Sequence, residues 1–444
     1  MNSIFRRTVA TSTSRIKGWR RRTTPTPTPT STPWRWRWNE QRHHQDHGNL
    51  ATQYASRLSS TSTSTSTSTS TTKAFNRRIK TIQKSNTTHH IPSYSYVQQE
   101  IASRLIDRLD DIVRDEGFPL ALDVGSGCGF LLKEICKDDG YEYDNEYDGV
   151  DGVDGVDGDT DGKSGGIGGV RKLVMMDSSE KVLHYGSDSD CNSNSNSDSD
   201  SDDTISNTNN EAYEFMKMTD EEKARCSTYK LHADYDNNKK LPFPDGTFDL
   251  VLSSTSMHWI NDLPSLMSEI HRVLKPDGCF LFAMVGGGST LGELSTSLSL
   301  GELEREGGMS PHVGPFVDFS DVGSLLSSAG FNLTTVDVDT VKLAYPNAMV
   351  LMEHLQRMGE NNACLNRRPF VSVDTFLAAS CVYDTMFPLI DGEGDDGSGS
   401  VEATVQIIYG IGWVPHDSQP KPKERGSAKH KVGDVVVDET KSEK

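Results

Sequence analysis

A glycine-rich turn between two different hydrophobic patterns is the feature of this sequence that most restricts its fold. LALDV at 120–124 is a short apolar run, LDVGSGCGF at 122–130 carries the glycines, and FLLKEICK at 130–137 continues with helical spacing. A buried parallel strand that turns tightly into a helix has this signature. The turn therefore predicts a site for a nucleotide-shaped cofactor at the carboxyl end of a strand.

Apolar runs and amphipathic stretches alternate along the rest of the chain. Helical spacing of apolar residues recurs at 97–112, 263–274 and 319–330. Further apolar runs, which read as strands, occupy 171–177, 227–234, 246–256, 279–285, 331–339 and 403–413. Such alternation is typical of a doubly wound α/β sheet. We predict a Rossmann-like fold with a mostly parallel, seven-stranded sheet and helices on both faces.

Three stretches of biased composition separate predicted folded and unfolded parts. A Ser/Thr tract fills 61–72, segment 138–169 is rich in Asp and Gly, and segment 186–210 is rich in Ser, Asn and Asp. The two acidic segments lack the apolar periodicity that a core requires and fall at loop positions. We predict the following division: a presequence and disordered linker at 1–73, one domain at 74–430 with two acidic inserts, and a flexible tail at 431–444.

The front of the chain has the composition of a mitochondrial transit peptide. Residues 1–99 contain sixteen Lys and Arg against two acids, Glu40 and Asp46, whereas the whole chain has a net charge of −19. Arg-rich and acid-poor leaders are typical of organelle import, and a basic tail that binds anionic surfaces is the alternative. The composition predicts import into an organelle, a mitochondrion rather than a plastid, and we expect the protein in the mitochondrial matrix or on the matrix side of the inner membrane.

The acidic body restricts the partners of the protein. Its negative charge disfavours nucleic acid as the main partner. No apolar run reaches the length of about 18 residues that a spanning helix needs, so we expect at most peripheral association with the inner membrane. The seven cysteines are scattered without a C-x-x-C pair, which suits a reducing compartment.

The glycine spacing distinguishes between nucleotide cofactors. A dinucleotide fingerprint needs G-x-G-x-x-G, but Phe130 stands where the third glycine after Gly125 and Gly127 would be. Asp123 ends the preceding strand. Its carboxylate would repel a pyrophosphate but suits a ligand that carries an amino or sulfonium charge. The pattern therefore favours a positively charged cofactor over a dinucleotide.

A second acid has the spacing of a ribose-binding residue. Asp177 lies 54 residues after Asp123, or 22 residues once segment 138–169 is discounted. An acid that binds ribose hydroxyls is expected about 20 residues after the glycine turn. The agreement supports both the insert and a ribose-binding role for Asp177.

Together these motifs resemble the S-adenosylmethionine methyltransferase family. The matching stretches are LDVGSGCGF, LVMMD at 173–177, LHAD at 231–234, and the regions of the fourth and fifth strands at 241–262 and 269–283. The resemblance implies a methyltransferase fold and S-adenosylmethionine as cofactor. The cofactor-binding residues that it implies are Asp123, Gly125, Gly127, Gly129, Asp177, Asp234 and Ser253.

Further stretches are similar to one branch of that family, the mitochondrial complex I assembly factors that are credited with hydroxylating an arginine. The stretches lie at 74–85, 256–264, 300–316, 351–368 and 406–428. Asn76 stands where this branch tends to have an aspartate, so an acid has no role at that position. The resemblance implies that a matrix-arm subunit of complex I carries the target arginine.

Six polar residues are candidates for the substrate side of the crevice. They are His258, Trp259, Asp262, Glu304, Glu306 and His312. The first three follow the fourth strand at its carboxyl end, where open α/β sheets bind ligands. The last three lie in a predicted polar loop, and carboxylates can hold the planar donors of a guanidinium. The simpler alternatives are a tryptophan at the core edge, a histidine that fixes a turn, and a solvated charged loop.

No stretch has convincing metal-ligand spacing. His232 and Asp234 have His-x-Asp spacing but fall where adenine is expected. Segment 157–168 begins like a calcium loop but has Gly168 where a bidentate glutamate belongs, and no helices flank it. We predict no metal, and the sequence does not explain how oxygen would be activated.

Three functions are compatible with these patterns. The first is an arginine-modifying enzyme of complex I assembly, in which the modification is hydroxylation. The second is an S-adenosylmethionine-dependent methyltransferase of a protein or small molecule, since methyl transfer mainly requires positioning. The third is a non-catalytic assembly chaperone, which the intact set of cofactor residues disfavours.

Overall fold

Strands alternate with helices in the part of the chain that the computed structural model describes, which is residues 73–112, 114, 117–137, 165–185, 218, 224–389, 400–421 and 425. The strands are β1 (Leu120–Val124), β2 (Lys172–Asp177), β3 (Ser227–His232), β4 (Phe248–Ser254), β5 (Leu274–Gly286), β6 (Asn332–Tyr345) and β7 (Val401–Trp413). Nearly all of the predicted presequence, most of both inserts and the predicted tail lie outside the described residues.

The helices occupy the stretches between these strands. They are α1 (Arg77–Ser85), α2 (Ile91–Tyr94), α3 (Tyr96–Asp110), α4 (Phe130–Ile135), α5 (Glu180–Leu183), α6 (Tyr235–Asn238), α7 (Leu263–Val273), α8 (Gly292–Glu306), α9 (Phe319–Ser328), α10 (Ala348–Arg357) and α11 (Val373–Met386). Short 3₁₀ turns lie at Thr88–His90, Ile167–Gly169 and Met257–Trp259. None of the described helices is long and apolar enough to cross a membrane.

The strands form one sheet in the order β3-β2-β1-β4-β5-β7-β6. The first five strands in this order pair in parallel, and β7 pairs antiparallel with both β5 and β6. The order reverses between β1 and β4, which is where ligands bind in open α/β sheets. The predicted fold, a mostly parallel seven-stranded sheet of the methyltransferase type, is confirmed.

Two hydrophobic cores cover the two faces of the sheet. Leu250 and Leu252 of β4 face one core, with α3, α4, α8 and α11, while Val251 faces the other, with α7 and α9. Successive side chains of a strand point to opposite faces, so a strand that is covered on both sides reads as a continuous apolar run. The helices therefore lie on both faces of the sheet, as predicted.

The N-terminal segment docks at the carboxyl ends of the strands. Asn76 caps α1 by accepting a hydrogen bond from the backbone N–H of Ile79 at 3.2 Å. Phe75 packs edge-to-face on Trp259, with ring centroids 5.1 Å apart. The backbone N–H of Phe75 also donates to Oδ1 of Asn261 at 2.8 Å. These contacts hold α1 against the loop that follows β4.

The first acidic insert ends earlier than predicted. The insert was expected to extend to 169, but residues 165–169 are described and pack on the body of the protein. The backbone N–H of Phe118 donates to the carbonyl of Gly168 at 2.9 Å. A Cβ on Gly168 would lie 3.0 Å from Leu109, so the backbone is close-packed there. The boundary is corrected to 164 because residues 165–169 form the tight entry into β2.

Candidate active site

The glycine turn after β1 lines a small cavity at the carboxyl ends of the parallel strands. Gly125, Gly127 and Gly129 have φ values of 78°, 60° and 99°. A Cβ on Gly125 would lie 1.9 Å from Oγ of Ser256, whereas a Cβ on Gly127 would meet no atom within 4 Å. The turn therefore approaches the β4 loop closely on one side and leaves open space on the other, in a cavity of about 100 Å³.

Asp123 lines this cavity with a buried carboxylate. The residue is 1% exposed, and neither carboxylate oxygen has a hydrogen-bond partner among the described residues. Burial, reinforced by the negative charge of Asp177, raises the pKa of Asp123 to about 8. Buried polar groups are normally paired. A cationic group placed in the cavity would supply the missing partner.

Asp177 also lies at the carboxyl ends of the strands, but its carboxylate is already paired with a lysine. Its Oδ1 accepts from the backbone N–H of Ser179 at 2.8 Å, and its Oδ2 accepts from the backbone N–H of Gly127 at 2.9 Å. Lys84 of α1 donates to the same Oδ2 at 2.5 Å. Lys84 rather than Asp177 therefore forms the wall of the cavity.

Helix α1 lays two cations over the predicted cofactor acids. Arg77, which lies seven residues before Lys84 on the same helix, donates from Nη2 to Oδ1 of Asp234 at 3.0 Å. Its Nε lies 3.3 Å from Asp236. The cavity below is smaller than the volume of roughly 300 Å³ or more that ligand pockets usually have. A nucleoside ligand therefore requires the side chains of α1 to move.

Four predicted cofactor residues do not line the cavity, namely Gly129, Asp177, Asp234 and Ser253. The hydroxyl of Ser253 is fully buried and donates to the carbonyl of Val124 at 2.8 Å, which ties β4 to β1. Ser254 lines the cavity instead, and its hydroxyl has no partner in the described part of the chain. Asp234 is covered by Arg77 and caps α6. Ser254, rather than Ser253, therefore faces the cavity.

A polar cluster at the wall of the cavity joins Trp259 and His258 to two residues from other parts of the chain. Nε1 of Trp259 donates to Oε2 of Glu360 at 2.8 Å, and Nε2 of His258 lies 3.2 Å from the same oxygen. Nζ of Lys80 lies 3.2 Å from Oε1 of Glu360 and 3.5 Å from the centroid of the Trp259 ring. Lys80, Trp259 and Glu360 line the cavity, and His258 lies behind them.

The charges of this cluster are strongly coupled. Burial lowers the pKa of Lys80 to about 7, although Glu360 opposes the shift. Burial alone would raise the pKa of Glu360, but Lys80 and the hydrogen bonds from His258 and Trp259 together lower it. Burial also lowers the pKa of His258. A buried lysine that titrates near neutral pH can take up or release a proton, which ordinary surface lysines do not do.

Three of the predicted substrate-side carboxylates point elsewhere. Asp262 caps α7 by accepting from the backbone N–H of Ser265 at 3.2 Å. Glu304 and Glu306 lie in the last turn of α8 rather than in a loop, and neither lines the cavity. Glu304 is exposed, whereas Glu306 accepts from Oγ1 of Thr375 at 2.7 Å. The predicted grouping is corrected because helix α8 continues to Gly307, where a positive φ ends it.

His312 belongs to a separate buried network around Glu302, which the sequence did not single out. Nε2 of His312 lies 2.8 Å from Oε2 of Glu302, and Nε of Arg368 lies 2.8 Å from Oε1. The backbone N–H of Ser310 donates to Oε2 at 2.7 Å. Glu302 is 0% exposed, so these contacts fix the loop after α8 to the helix. His312 is therefore a structural partner here and not a residue of the cofactor cavity.

The described residues contain no group of three or more His, Cys, Asp or Glu side chains that is arranged to hold a metal ion. His232, considered above as a ligand with Asp234, has Nε2 3.1 Å from the carbonyl of Ser178. Asp234 is engaged by Arg77. The two side chains therefore have different partners.

Comparisons with known proteins give the family of the chain. Residues 209–282 match the family model described as a methyltransferase domain. The mitochondrial arginine-hydroxylase NDUFAF5 of Danio rerio is 39% identical over 363 residues, which is 81% of this chain and 89% of that protein. This chain belongs to the NDUFAF5 arginine-hydroxylase family.

Other members of the NDUFAF5 family match over the same extent. The protein of that name from Homo sapiens is 38% identical over 364 residues, 81% of this chain and 83% of that protein. The one from Dictyostelium discoideum is 40% identical over 364 residues, 81% of this chain and 70% of that protein. The match to the methyltransferase domain includes β3, β4 and the Met257–Trp259 turn, so part of the cavity wall lies inside it.

Sequence reasoning missed Lys80, Lys84 and Glu360. The two lysines belong to α1, whose charges at 77, 80 and 84 repeat at helical spacing and all point to acids of the site. This helical repeat of basic residues is the feature of the sequence that points to the two lysines. Glu360 follows Gly359 after α10, and no local pattern distinguishes it from other glutamates.

Proposed function

We propose that this protein is a mitochondrial enzyme that binds S-adenosylmethionine below α1 and hydroxylates an arginine of a complex I matrix-arm subunit. The activity rests on the family, whose members in Danio rerio and Homo sapiens are named mitochondrial arginine-hydroxylases. The observation in this chain that carries the cofactor is Asp123, which is buried and has no hydrogen-bond partner among the described residues. Buried polar groups are normally paired, and a cationic ligand in the cavity would supply the partner.

The residues around the cavity fit S-adenosylmethionine. Asp123 would accept the amino group, and the backbone of Gly125 and Gly127 would lie against the ligand, with open space beside Gly127, where a Cβ would meet no atom within 4 Å. Asp177 would accept ribose hydroxyls once Lys84 leaves it. When bound, S-adenosylmethionine supplies a sulfonium charge and an electrophilic methyl group, and hydroxylation of the arginine additionally requires molecular oxygen and a two-electron reductant as co-substrates. The cluster of Trp259, His258, Lys80 and Glu360 would then form the neighbouring wall.

The substrate arginine is proposed to approach Glu360. Glu360 is the carboxylate that lines the cavity together with Trp259, and guanidinium groups pair with carboxylates and stack on aromatic rings. Lys80 now holds Glu360, but its pKa of about 7 allows it to lose its charge when a second cation arrives. In this arrangement Glu360 and Trp259 bind and orient the guanidinium, and Lys80 releases its proton to solvent as the guanidinium replaces it at Glu360.

Mass spectrometry of the matrix-arm subunits tests the proposal. Cells that lack the protein should lose a modification of about 16 Da on one arginine, and the wild-type chain should restore it. Glu360→Gln should fail to restore the mark, whereas Glu304→Gln, a change on the exposed end of α8, should restore it. Unmodified arginines in wild-type cells would overturn the hydroxylase proposal.

Methyl transfer is the second candidate, because residues 209–282 match a methyltransferase domain. The same spectra distinguish it, since a methyl group adds about 14 Da. A non-catalytic chaperone is the third. Full restoration of complex I by a variant that cannot bind the cofactor would favour that function.

We expect Lys84→Ala to tighten S-adenosylmethionine binding several-fold. The substitution removes the ammonium that competes for Asp177 and enlarges the cavity, while two backbone N–H groups still hold the carboxylate. Isothermal titration calorimetry measures the effect. Lys84→Arg, which keeps the cation, is the control and should show no gain. Weaker binding by Lys84→Ala would mean that the lysine contacts the ligand instead.

We expect residues 1–73 to direct a fluorescent reporter to mitochondria. Their basic and acid-poor composition is that of an import signal, and the named relatives are mitochondrial. Microscopy of a fusion, with residues 74–444 fused to the same reporter as the control, measures this. A cytosolic or plastid signal from the first fusion would contradict it.

A further inference from the structure

A second cavity adjoins the cofactor cavity and has a different chemistry. Its volume is about 470 Å³, and Trp259, Met358 and Glu360 line both cavities. We call it the apolar chamber; its walls include Val97, Leu291, Leu294, Leu298, Leu343 and Leu351. The chamber lies between α8, α10 and the antiparallel part of the sheet. A volume of this size is typical of small-molecule sites.

Two polar side chains in the walls of the chamber have hydrogen-bond partners, whereas Oε1 of Gln83 has none among the described residues. The hydroxyl of Tyr345 lies 2.9 Å from the hydroxyl of Tyr96. Thr290 donates to the carbonyl of Gly286 at 2.5 Å and accepts from the backbone N–H of Gln406 at 3.0 Å. Most of the lining is nevertheless apolar, so a ligand gains affinity there by burying alkyl surface.

One cation in the wall has no carboxylate partner. Arg367 lines the chamber, and no acid in the described part of the chain lies within ion-pair distance of it. Its contact is a marginal one, from Nη1 to the carbonyl of Asn362 at 3.5 Å. The neighbouring Arg368 differs, because Glu302 and Glu306 both pair with it. Arg367 is thus the group that an anionic ligand head would meet.

We propose that the apolar chamber binds a straight-chain monocarboxylic acid, with its carboxylate at Arg367 and its alkyl chain among the leucines. The proposal goes beyond the modification of a protein arginine and does not depend on it. The shared wall of Trp259, Met358 and Glu360 places this second ligand beside the cofactor cavity. Apolar walls and an unpaired guanidinium are together the complement of a fatty acid.

Calorimetric titration of the full chain with dodecanoic acid tests the proposal, with dodecanol as the uncharged probe. Leu294→Trp fills the chamber from α8 and should weaken acid binding at least tenfold. Leu303→Trp makes the same change on the same helix at an exposed position and should leave binding unchanged. Arg367→Met should abolish the preference for the acid over the alcohol, a loss of about tenfold for one charge-assisted contact.

A second filled variant and a titration with the cofactor complete the test. Met352→Trp fills the chamber from α10 and repeats the test if Leu294→Trp does not fold, as circular dichroism would show. Equal binding of the acid by wild type and both filled variants, or no binding by wild type, would overturn the proposal. Titration of Leu294→Trp with S-adenosylmethionine should match wild type. Loss of acid binding with unchanged cofactor binding therefore shows that the substitution affects the chamber and not the cofactor site.

Discussion

Asp123→Asn is expected to abolish measurable S-adenosylmethionine binding and to stabilise the ligand-free protein. The substitution removes the negative charge that would pair with the amino group of the ligand. It also removes a carboxylate that is buried without a partner among the described residues, and whose pKa is therefore raised to about 8. At pH 8 we expect a gain on the order of 2 kcal/mol in the free energy of unfolding, after the cost of burying the amide.

The pH dependence of stability follows from the direction of this shift. The folded-state pKa of Asp123 lies above the unfolded value of 3.8, so its contribution to stability is present below pH 3.8. That contribution is lost as the pH rises to about 8. The gap in melting temperature between Asp123→Asn and wild type should therefore widen from pH 5 to pH 8.

Calorimetry of binding and thermal melts at several pH values measure both effects. Asp337→Asn, on the exposed side of β6, is the control and should change neither binding nor the pH dependence. Wild-type cofactor affinity in Asp123→Asn would remove Asp123 from the site. Parallel melting curves for wild type and variant across this pH range would show that the carboxylate is not held protonated.

Glu302→Ala is expected to lower the free energy of unfolding by about 3–5 kcal/mol, because it leaves buried partners without their acceptor. Glu302 is fully buried between Ser310, His312 and Arg368. Glu304→Ala, two residues along the same helix at an exposed position, should change stability by no more than about 0.5 kcal/mol. Urea denaturation of both variants measures the difference.

The difference in stability between wild type and Glu302→Ala should become smaller at acid pH. Burial alone would raise the pKa of Glu302, but hydrogen bonds from Ser310 and His312 lower it overall. Its stabilising contribution is therefore present above the usual pKa of 4.5 and is lost as the pH falls through the lower folded value. Equal stabilities of Glu302→Ala and Glu304→Ala at pH 7 would contradict the structural role of the network.

The sequence by itself determined the strands, the sheet and the glycine turn. Period-2 and period-3.6 hydrophobic patterns depend on local spacing, so LALDV and RKLVMMD could be read as strands without a structure. The acids Asp123 and Asp177 were found for the same reason, since each ends a strand whose carboxyl end is known from the pattern. The sequence predicts a polar loop for Glu304 and Glu306, whereas they lie in the last turn of α8, because that turn is polar.

Only the tertiary structure decided which side chains meet at the site. Lys84 reaches Asp177 across 93 positions, and Lys80 reaches Glu360 across 280. No local spacing encodes such contacts, because they arise when α1 docks over the strand ends. The same holds for the burial that leaves Asp123 without a hydrogen-bond partner among the described residues and brings the pKa of Lys80 to about 7. The protonation state, the contacts and the burial of these side chains depend on how distant segments pack together. No short stretch of the sequence encodes them.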